Sequence, residues 1–371
     1  MKLNLDATLP EGVSHHFSED QLENAPQHIK KLLSIEGIRS VYQVSDFISI
    51  SRHPQYDWRT ILPQVAHLFG DSDVDIEGMV QSFSADTDSE LTGVHVYVQT
   101  VKGIPMQIKL MTLSQEKRYP LPERFMDAAQ KVQKSVDNLL TARQWEEYGV
   151  RYGSFDEIGR QVAEEIDAVY DQQRLNQLVQ QALAGQDASE ETISSEQVNT
   201  LLSDPDWKKR FAALEQLKLT EDDLPVLQKA LNDPQVAIRR LATAYLGELG
   251  SSLGSDKVLP LLIKALEDES PIVRRTAGDA LSDLGDIRAQ EAMIDALSDE
   301  HKIVRWRAAR FMYEVGDERA IPALRRALND PEFEISLQAK LALERIEKGT
   351  KAEGTVWQQI ARHTNRMKEK E

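Results

Sequence analysis

The chain has 371 residues, long enough for two or three domains, and a formal net charge of −17. So acidic a chain disfavours non-specific binding to nucleic acid or an anionic membrane, which needs a basic surface, and neither is expected as a partner. It has no cysteine, which excludes disulfides, Cys-ligated zinc, iron–sulfur clusters held by its own thiolates, and cysteine nucleophiles.

The opening Met1-Lys-Leu-Asn-Leu-Asp6 has no signal-peptide apolar region. No later stretch approaches the ~20 apolar residues of a membrane span. The expectation is a soluble, cytoplasmic protein. Residues 1–92 read as a small α+β domain. Leu3 and Leu5 alternate with polar residues as a strand, and Val13–Phe17 begins a second. Gln21–Glu36 is a predicted helix with Ile29, Leu32 and Leu33 inward, stopped by Gly37. Ile38–Gln43 and Asp46–Ser51 are strands joined by a tight turn near Val44-Ser45, and Trp58–Phe69 is a further helix. Asp71-Ser-Asp-Val-Asp-Ile-Glu77 opens like a calcium loop. An EF-hand, however, needs Gly and Glu at its sixth and twelfth positions, where Ile76 and Ser82 stand. The run Asp71–Glu90 is a solvated acidic linker or helix surface.

Residues 93–185 read as an αβ middle domain. Val94–Thr100 and Ile104–Leu110 flank Val101-Lys-Gly103 as a hairpin, with Pro105 suited to an edge or a strand start. Helices are expected over Pro122–Thr141 and, as one long element, Phe155–Ala184. Between them Gln144–Phe155 is the densest aromatic stretch, either a recognition loop or a packed hinge between the helices. The polar segment 186–196 is the linker to the C-terminal half.

Residues 197–349 repeat. Asp233-Pro-Gln-Val-Ala-Ile-Arg239, Asp268-Glu-Ser-Pro-Ile-Val-Arg274 and Asp299-Glu-His-Lys-Ile-Val-Arg305 each place an Arg six residues after an Asp. Weaker copies start at Asp204 and Asp330, the latter with Ser336 in place of Arg. The five aspartates therefore step by 29, 35, 31 and 31 residues, room for two short helices per unit. Three residues after the Arg position stands Ala in every copy: Ala213, Ala242, Ala277, Ala308 and Ala339. Offsets −1, +3, +7 and +10 make one apolar helical stripe. Gly250, Gly285 and Gly316 stand where the helices should end. Partner helices are expected at Lys257–Leu266 and Ala320–Leu328, with Pro260 and Pro322 near their starts. Irregular end copies suit a capped array. Residues 350–371 are a basic tail in which Val356, Trp357 and Ile360 dock onto the last unit or fray.

These columns resemble HEAT repeats of the short kind also found in phycobilin lyase-like proteins. That resemblance covers roughly Val198–Ile346. It implies that Asp233, Arg239, Asp268, Arg274, Asp299 and Arg305 form a structural ladder. The run Ala25-Pro26, Leu32-Leu33-x-Ile35-Glu36-Gly37-Ile38-x-x-Val41, Ser45-Asp46-Phe47-Ile48-x-Ile50 and Trp58 resembles the N-terminal domain of Nfu/NifU-type scaffold proteins. Asp6-Ala-Thr-Leu-Pro-Glu11 departs from that family's opening, and its Cys-x-x-Cys cluster ligands are absent. The combination resembles the conserved virulence factor C family of Gram-positive bacteria, which implies an indirect effect on virulence traits and no particular reaction.

No enzyme constellation stands out, and neither a cofactor, a metal site nor a catalytic residue is expected. His15-His16 would point to opposite faces of a strand. Deoxyhypusine hydroxylases repeat His-Glu pairs across HEAT units, whereas the solenoid here holds only Glu300-His301, reversed and unrepeated. Gly153-Ser154-Phe155-Asp156 lacks the second glycine of a nucleophile elbow. The candidate binding residues lie on the solenoid surface. Trp306, Arg310 and Tyr313 share one helix face, and Arg240 and Arg275 extend it through the two preceding units. Such a stripe suits an acidic protein segment. The opposing reading packs Trp306 against the adjoining unit and pairs the arginines with Glu248, Asp279 or Glu314. The expected function is a non-enzymatic adaptor or scaffold. The alternatives are a lyase-like or accessory protein of a metal, iron–sulfur or chromophore pathway.

Overall fold

The computed structural model describes residues 2–4, 14–18, 25–44, 47–53, 56, 60, 61, 64, 65, 68, 93–112, 115–132, 142–186, 188 and 192–349. Ser45 of the expected turn, Trp58, the acidic run 71–90 and the tail from 350 lie outside the described residues. The chain divides into two compact units, the first holding residues 1–88 and the second residues 89–112 and 116–353.

In the first unit an antiparallel sheet runs in the order β1-β4-β3-β2, from β1 (Lys2–Asn4), β2 (Ser14–Ser18), β3 (Ile38–Val44) and β4 (Phe47–Arg52). Helix α1 (Gln27–Leu33) starts directly after Pro26, whose fixed φ suits the entry to a helix. It is thus shorter than the expected Gln21–Glu36. Its Ile29, Leu32 and Leu33 are buried with Ile38, Val41, Ile48, Ile50, Ile61 and Val65. Gly37, expected to stop the helix, lies beyond its C-cap Ser34; it stands at φ +96° directly before β3, where a side chain would strike Tyr56.

The second unit begins with a sheet in the order β7-β6-β5-β8. Its first hairpin joins β5 (Val94–Val101) to β6 (Ile104–Met111) through Lys102 and Gly103, both at positive φ, as a two-residue turn of this kind requires. Pro105 sits near the start of β6, beyond the last pairing of β7 (Glu116–Pro120), where no ladder donor is needed. One sheet face buries Val96, Val98, Ile108 and Leu110 against α2 (Glu123–Val132), α3 (Phe155–Val169) and α4 (Gln172–Leu183).

Two expectations fail here. The aromatic stretch is neither a loop nor a hinge: Arg143–Arg151 is β8, paired along β5 with a bulge near Gly149. Ser154 then caps α3 with a full capping box to Glu157. The single long helix from Phe155 is two, because the chain leaves helical geometry at Tyr170 and Asp171 caps α4 by accepting a hydrogen bond from the Arg174 backbone N–H.

From Ser195 onward five helix pairs follow: α5 (Ser195–Leu201) with α6 (Trp207–Glu215), α7 (Leu224–Ala230) with α8 (Val236–Leu253), α9 (Leu259–Ala265) with α10 (Pro271–Leu284), α11 (Gln290–Ala296) with α12 (Lys302–Glu314), and α13 (Ile321–Ala327) with α14 (Phe333–Glu347). The fold is an α+β N-terminal region followed by an α-solenoid. All five column alanines are buried, as are Leu246, Leu281 and Met312 one turn on. Each of these buried leucine and methionine side chains contributes roughly 1.5–3 kcal/mol, and an alanine methyl about 0.8 kcal/mol. Gly285 ends α10 in the left-handed region. Gly250, expected to end its helix, does not: α8 continues to Leu253 and stops at Gly254. Gly250 is instead a close-approach position, where a Cβ would meet Val258 and Leu284.

Candidate interaction face of the solenoid

Two residues before the N-cap of each unit's second helix stands an aspartate whose carboxylate accepts the backbone N–H of that N-cap residue, as Asp268 does from Ser270. The same carboxylate receives both arms of the preceding unit's arginine. Arg239 donates through Nε and Nη2 to Asp268 at 2.7 and 2.9 Å. Its Nη1 reaches back to the carbonyl of its own Asp233. The pattern repeats as Arg210–Asp233, Arg274–Asp299 and Arg305–Asp330. Four rungs thus link five units. The series stops at Ser336, which has no guanidinium and bonds to the carbonyl of Phe333 within its own helix.

On the opposite flank of the second helices stands the expected basic stripe, and the structure divides it. Arg240 and Arg275 do not extend an exposed surface, because the middle segment covers them. Arg240 donates to Glu165 of α3 at 3.1 Å, with the two side chains only 12% and 5% exposed. Glu165 also accepts from Tyr148 and Arg151 of β8. The Arg275 guanidinium lies 3.8 Å over the ring of Tyr152 and is paired with Asp279. Arg307 donates to the Tyr152 hydroxyl at 3.0 Å and also pairs with Asp279. One chain segment, Tyr148–Glu165, therefore engages arginines from three successive units. Burial moves the ionisation of these groups. Desolvation lowers the guanidinium pKa of Arg151 and of Arg275, and raises that of the Glu215 carboxyl, with Glu165 adding to that rise.

The fourth unit is different. Trp306 is half-buried, packed against the core, with the guanidinium carbons of Arg307 and Arg310 at 4.6 and 5.7 Å from its ring centre. Arg310 keeps 31% of its side-chain surface while donating to Glu314 at 2.8 Å. Tyr313 is half-buried beside them. The sequence pattern did not point to Tyr152, Glu165 and Arg307 as partners of the stripe. Their only advance signal was the density of aromatic residues around Tyr152.

Between the middle segment and the second helices lies a cleft of about 640 Å³, lined by Tyr152, Glu157, Arg240, Glu248, Arg275, Asp279, Asp283 and His301 among others. Among the described residues no group of three or more His, Asp or Glu side chains is disposed to hold a metal ion. No helix among them is long and apolar enough to cross a membrane.

Comparison with known proteins places this architecture. Family models match over residues 99–179 (virulence factor), 195–266 and 259–344 (HEAT repeats) and 1–73 (scaffold protein Nfu/NifU N terminal). The chain is 49% identical over 364 residues to the uncharacterized protein YpgR of Bacillus subtilis, covering 97% of this chain and 94% of that one. It is 42% identical over 347 residues to conserved virulence factor C of Staphylococcus saprophyticus, covering 92% and 90%. The chain belongs to the conserved virulence factor C family. Among solved structures, the complex of CpcE and CpcF of phycocyanin lyase from Nostoc sp. matches 34% of this chain and 54% of that one. The identity over that match is 26% and the TM-score 0.29.

Proposed function

We propose that this member of the conserved virulence factor C family is a non-enzymatic cytoplasmic scaffold. It seats a protein segment on the second-helix face of its solenoid, and its effect on virulence traits runs through that partner. The observation that carries this reading is the fourth unit. There an aromatic ring flanked by two guanidinium groups stands on a face that the ion-pair ladder holds in fixed register. Aromatic and arginine side chains are those most enriched at binding hot spots. Trp306 and Tyr313 supply contact area, and Arg310 offers its exposed edge to a carboxylate of the partner.

Intact chain and a Trp306→Ala/Arg310→Glu variant, both shown to be folded by circular dichroism, are used to capture partners from native cytoplasm. A polypeptide retained by the intact chain and lost from the variant supports the reading. Equal capture by both removes the fourth unit from the binding site.

A further inference from the structure

We propose that Tyr152 is an internal placeholder: it occupies the guanidinium pair Arg275–Arg307, and a partner segment carrying a tyrosine among acidic residues displaces it. The inference rests on the reading of this face as a docking surface and adds the kind of segment that the face takes. Tyr152 shows what the pair accepts. The centre of its ring lies 3.8 Å from the Arg275 guanidinium carbon and 5.6 Å from that of Arg307, and its hydroxyl accepts a hydrogen bond from Arg307 at 3.0 Å. Arg275 stands on α10 and Arg307 on α12, so one ring with one oxygen acceptor serves two successive units. The backbone at Tyr152 permits its departure. β8 ends at Arg151 and Ser154 caps α3, which leaves Tyr152 in the short connection between them, followed by Gly153 at φ +131°. A turn of the chain there breaks neither a strand pair nor the capping box, and such changes are commonly absorbed by a few residues at the ends of elements. The cleft of about 640 Å³ borders both Tyr152 and Arg275 and supplies volume beside the ring.

The charges favour an acidic guest. Among the described residues Arg275 and Arg307 share one ion-pair partner, Asp279, and the remaining contact is filled by a neutral phenol. The buried Nε of Arg275 has no hydrogen-bond partner among them. Two guanidinium groups against one carboxylate leave one positive charge unmatched, and a carboxylate beside the pair would form the stronger, charge-assisted bond that a phenol does not. Arg307 also ties this contact to the fourth unit. Its guanidinium carbon is 4.6 Å from the ring centre of Trp306, and that of Arg310 is 5.7 Å from the same ring. A segment seated on Trp306 and Arg310 therefore competes with Tyr152 for Arg307.

The test uses the full chain and a fluorescein-labelled peptide, Gly-Ser-Glu-Tyr-Glu-Glu-Ser-Gly, read by fluorescence anisotropy, with circular dichroism as the control for folding. A comparison peptide has alanine in place of the tyrosine. Tyr152→Ala is expected to bind the tyrosine peptide about tenfold or more tighter than the parent, since the ring and its hydrogen bond no longer compete. Tyr152→Phe keeps the ring and loses only the bond from Arg307, so its expected gain is about fivefold. The gain should disappear in Tyr152→Ala/Arg275→Gln and be absent with the alanine peptide. An affinity that Tyr152→Ala leaves unchanged or weakens overturns the proposal. So does a gain that the alanine peptide shares, or the absence of saturable binding to Tyr152→Ala. Should Tyr152→Ala not fold, Tyr152→Phe decides, and no gain there overturns the proposal. The Trp306→Ala/Arg310→Glu variant separates the two readings. A gain from Tyr152→Ala that persists in that background sinks the fourth-unit reading alone. Binding lost with Trp306 and Arg310 but indifferent to Tyr152 sinks the placeholder alone.

Discussion

Breaking one rung of the ladder separates a structural ion pair from a decorative one. Asp268 accepts three hydrogen bonds, two from Arg239 and one from the Ser270 backbone, and the paired side chains are 12% and 11% exposed. Asp268→Asn keeps the shape but removes the charge, leaving the Arg239 guanidinium without its anion in a nearly closed site. Removing one partner of a buried pair costs ~3–5 kcal/mol, and the residual exposure places this rung near the lower end, at ~3 kcal/mol. With ~2–4 °C of midpoint per kcal/mol for a chain segment of this size, the thermal transition falls by ~6–12 °C. Arg239→Met also gives up bonds to the carbonyls of Asp233 and Pro234, so it costs at least as much. The double variant is expected to lose less than the sum of the singles, with a coupling of ~2 kcal/mol. Urea unfolding gives the global values, and hydrogen exchange in α8 and α10 gives the local ones. A coupling below ~0.5 kcal/mol would mean that the rung behaves as a surface pair, and the argument for register would fail.

Other contacts carry their own expected outcomes. Tyr152→Phe loses the bond from Arg307, at ~1 kcal/mol. Tyr152→Ala also loses the ring beneath Arg275 and costs more, which chemical denaturation resolves. Asp171→Ala removes the cap of α4 at ~1 kcal/mol and speeds amide exchange in its first turn. Asp286 and Asp317 are bonded to Arg288 and Arg319 respectively, which hold their carboxyls well below the usual range. Their contribution is therefore present above the unfolded value of about 3.9 and lost as pH falls below it. Asp286→Asn/Asp317→Asn should flatten the decline in melting temperature between roughly pH 4 and pH 2. Glu215 is the opposite case, raised by burial, so its charge is a penalty that persists above its folded pKa. Glu215→Gln should raise the midpoint at pH 8 and leave it unchanged near pH 3. An equal rise at both pH values would contradict burial of the charge as the cause.

The solenoid was legible because its constraints are local and repeat. A buried alanine stands at the same column of every unit, and an Asp–Arg spacing recurs wherever one unit hands over to the next. The helix break at Tyr170-Asp171 was also written locally, in an aspartate placed to cap, but the apolar periodicity runs through it and masked the stop. Strand β8 escaped because it is an edge strand. Trp145, Tyr148 and Val150 do not alternate cleanly across the bulge near Gly149, so no period of two is visible. The stripe shows the limit most plainly. Helical phase established that Arg240, Arg275 and Trp306 point away from their own units. It carried no information about Tyr152 and Glu165, which come from distant sequence and turn two of those positions into an internal contact.

The rungs also give the array a direction. Each arginine depends on an aspartate belonging to the next unit, whereas each aspartate is already held by its own backbone turn. A unit duplicated in the interior brings its own arginine and its own aspartate, and every guanidinium still finds an anion. Deletion of the last unit instead strands Arg305, whose anion is Asp330. Such an array lengthens readily from within and resists trimming at its C-terminal end. The replacement of arginine by Ser336 marks the position where the series can stop without leaving a charge unmatched.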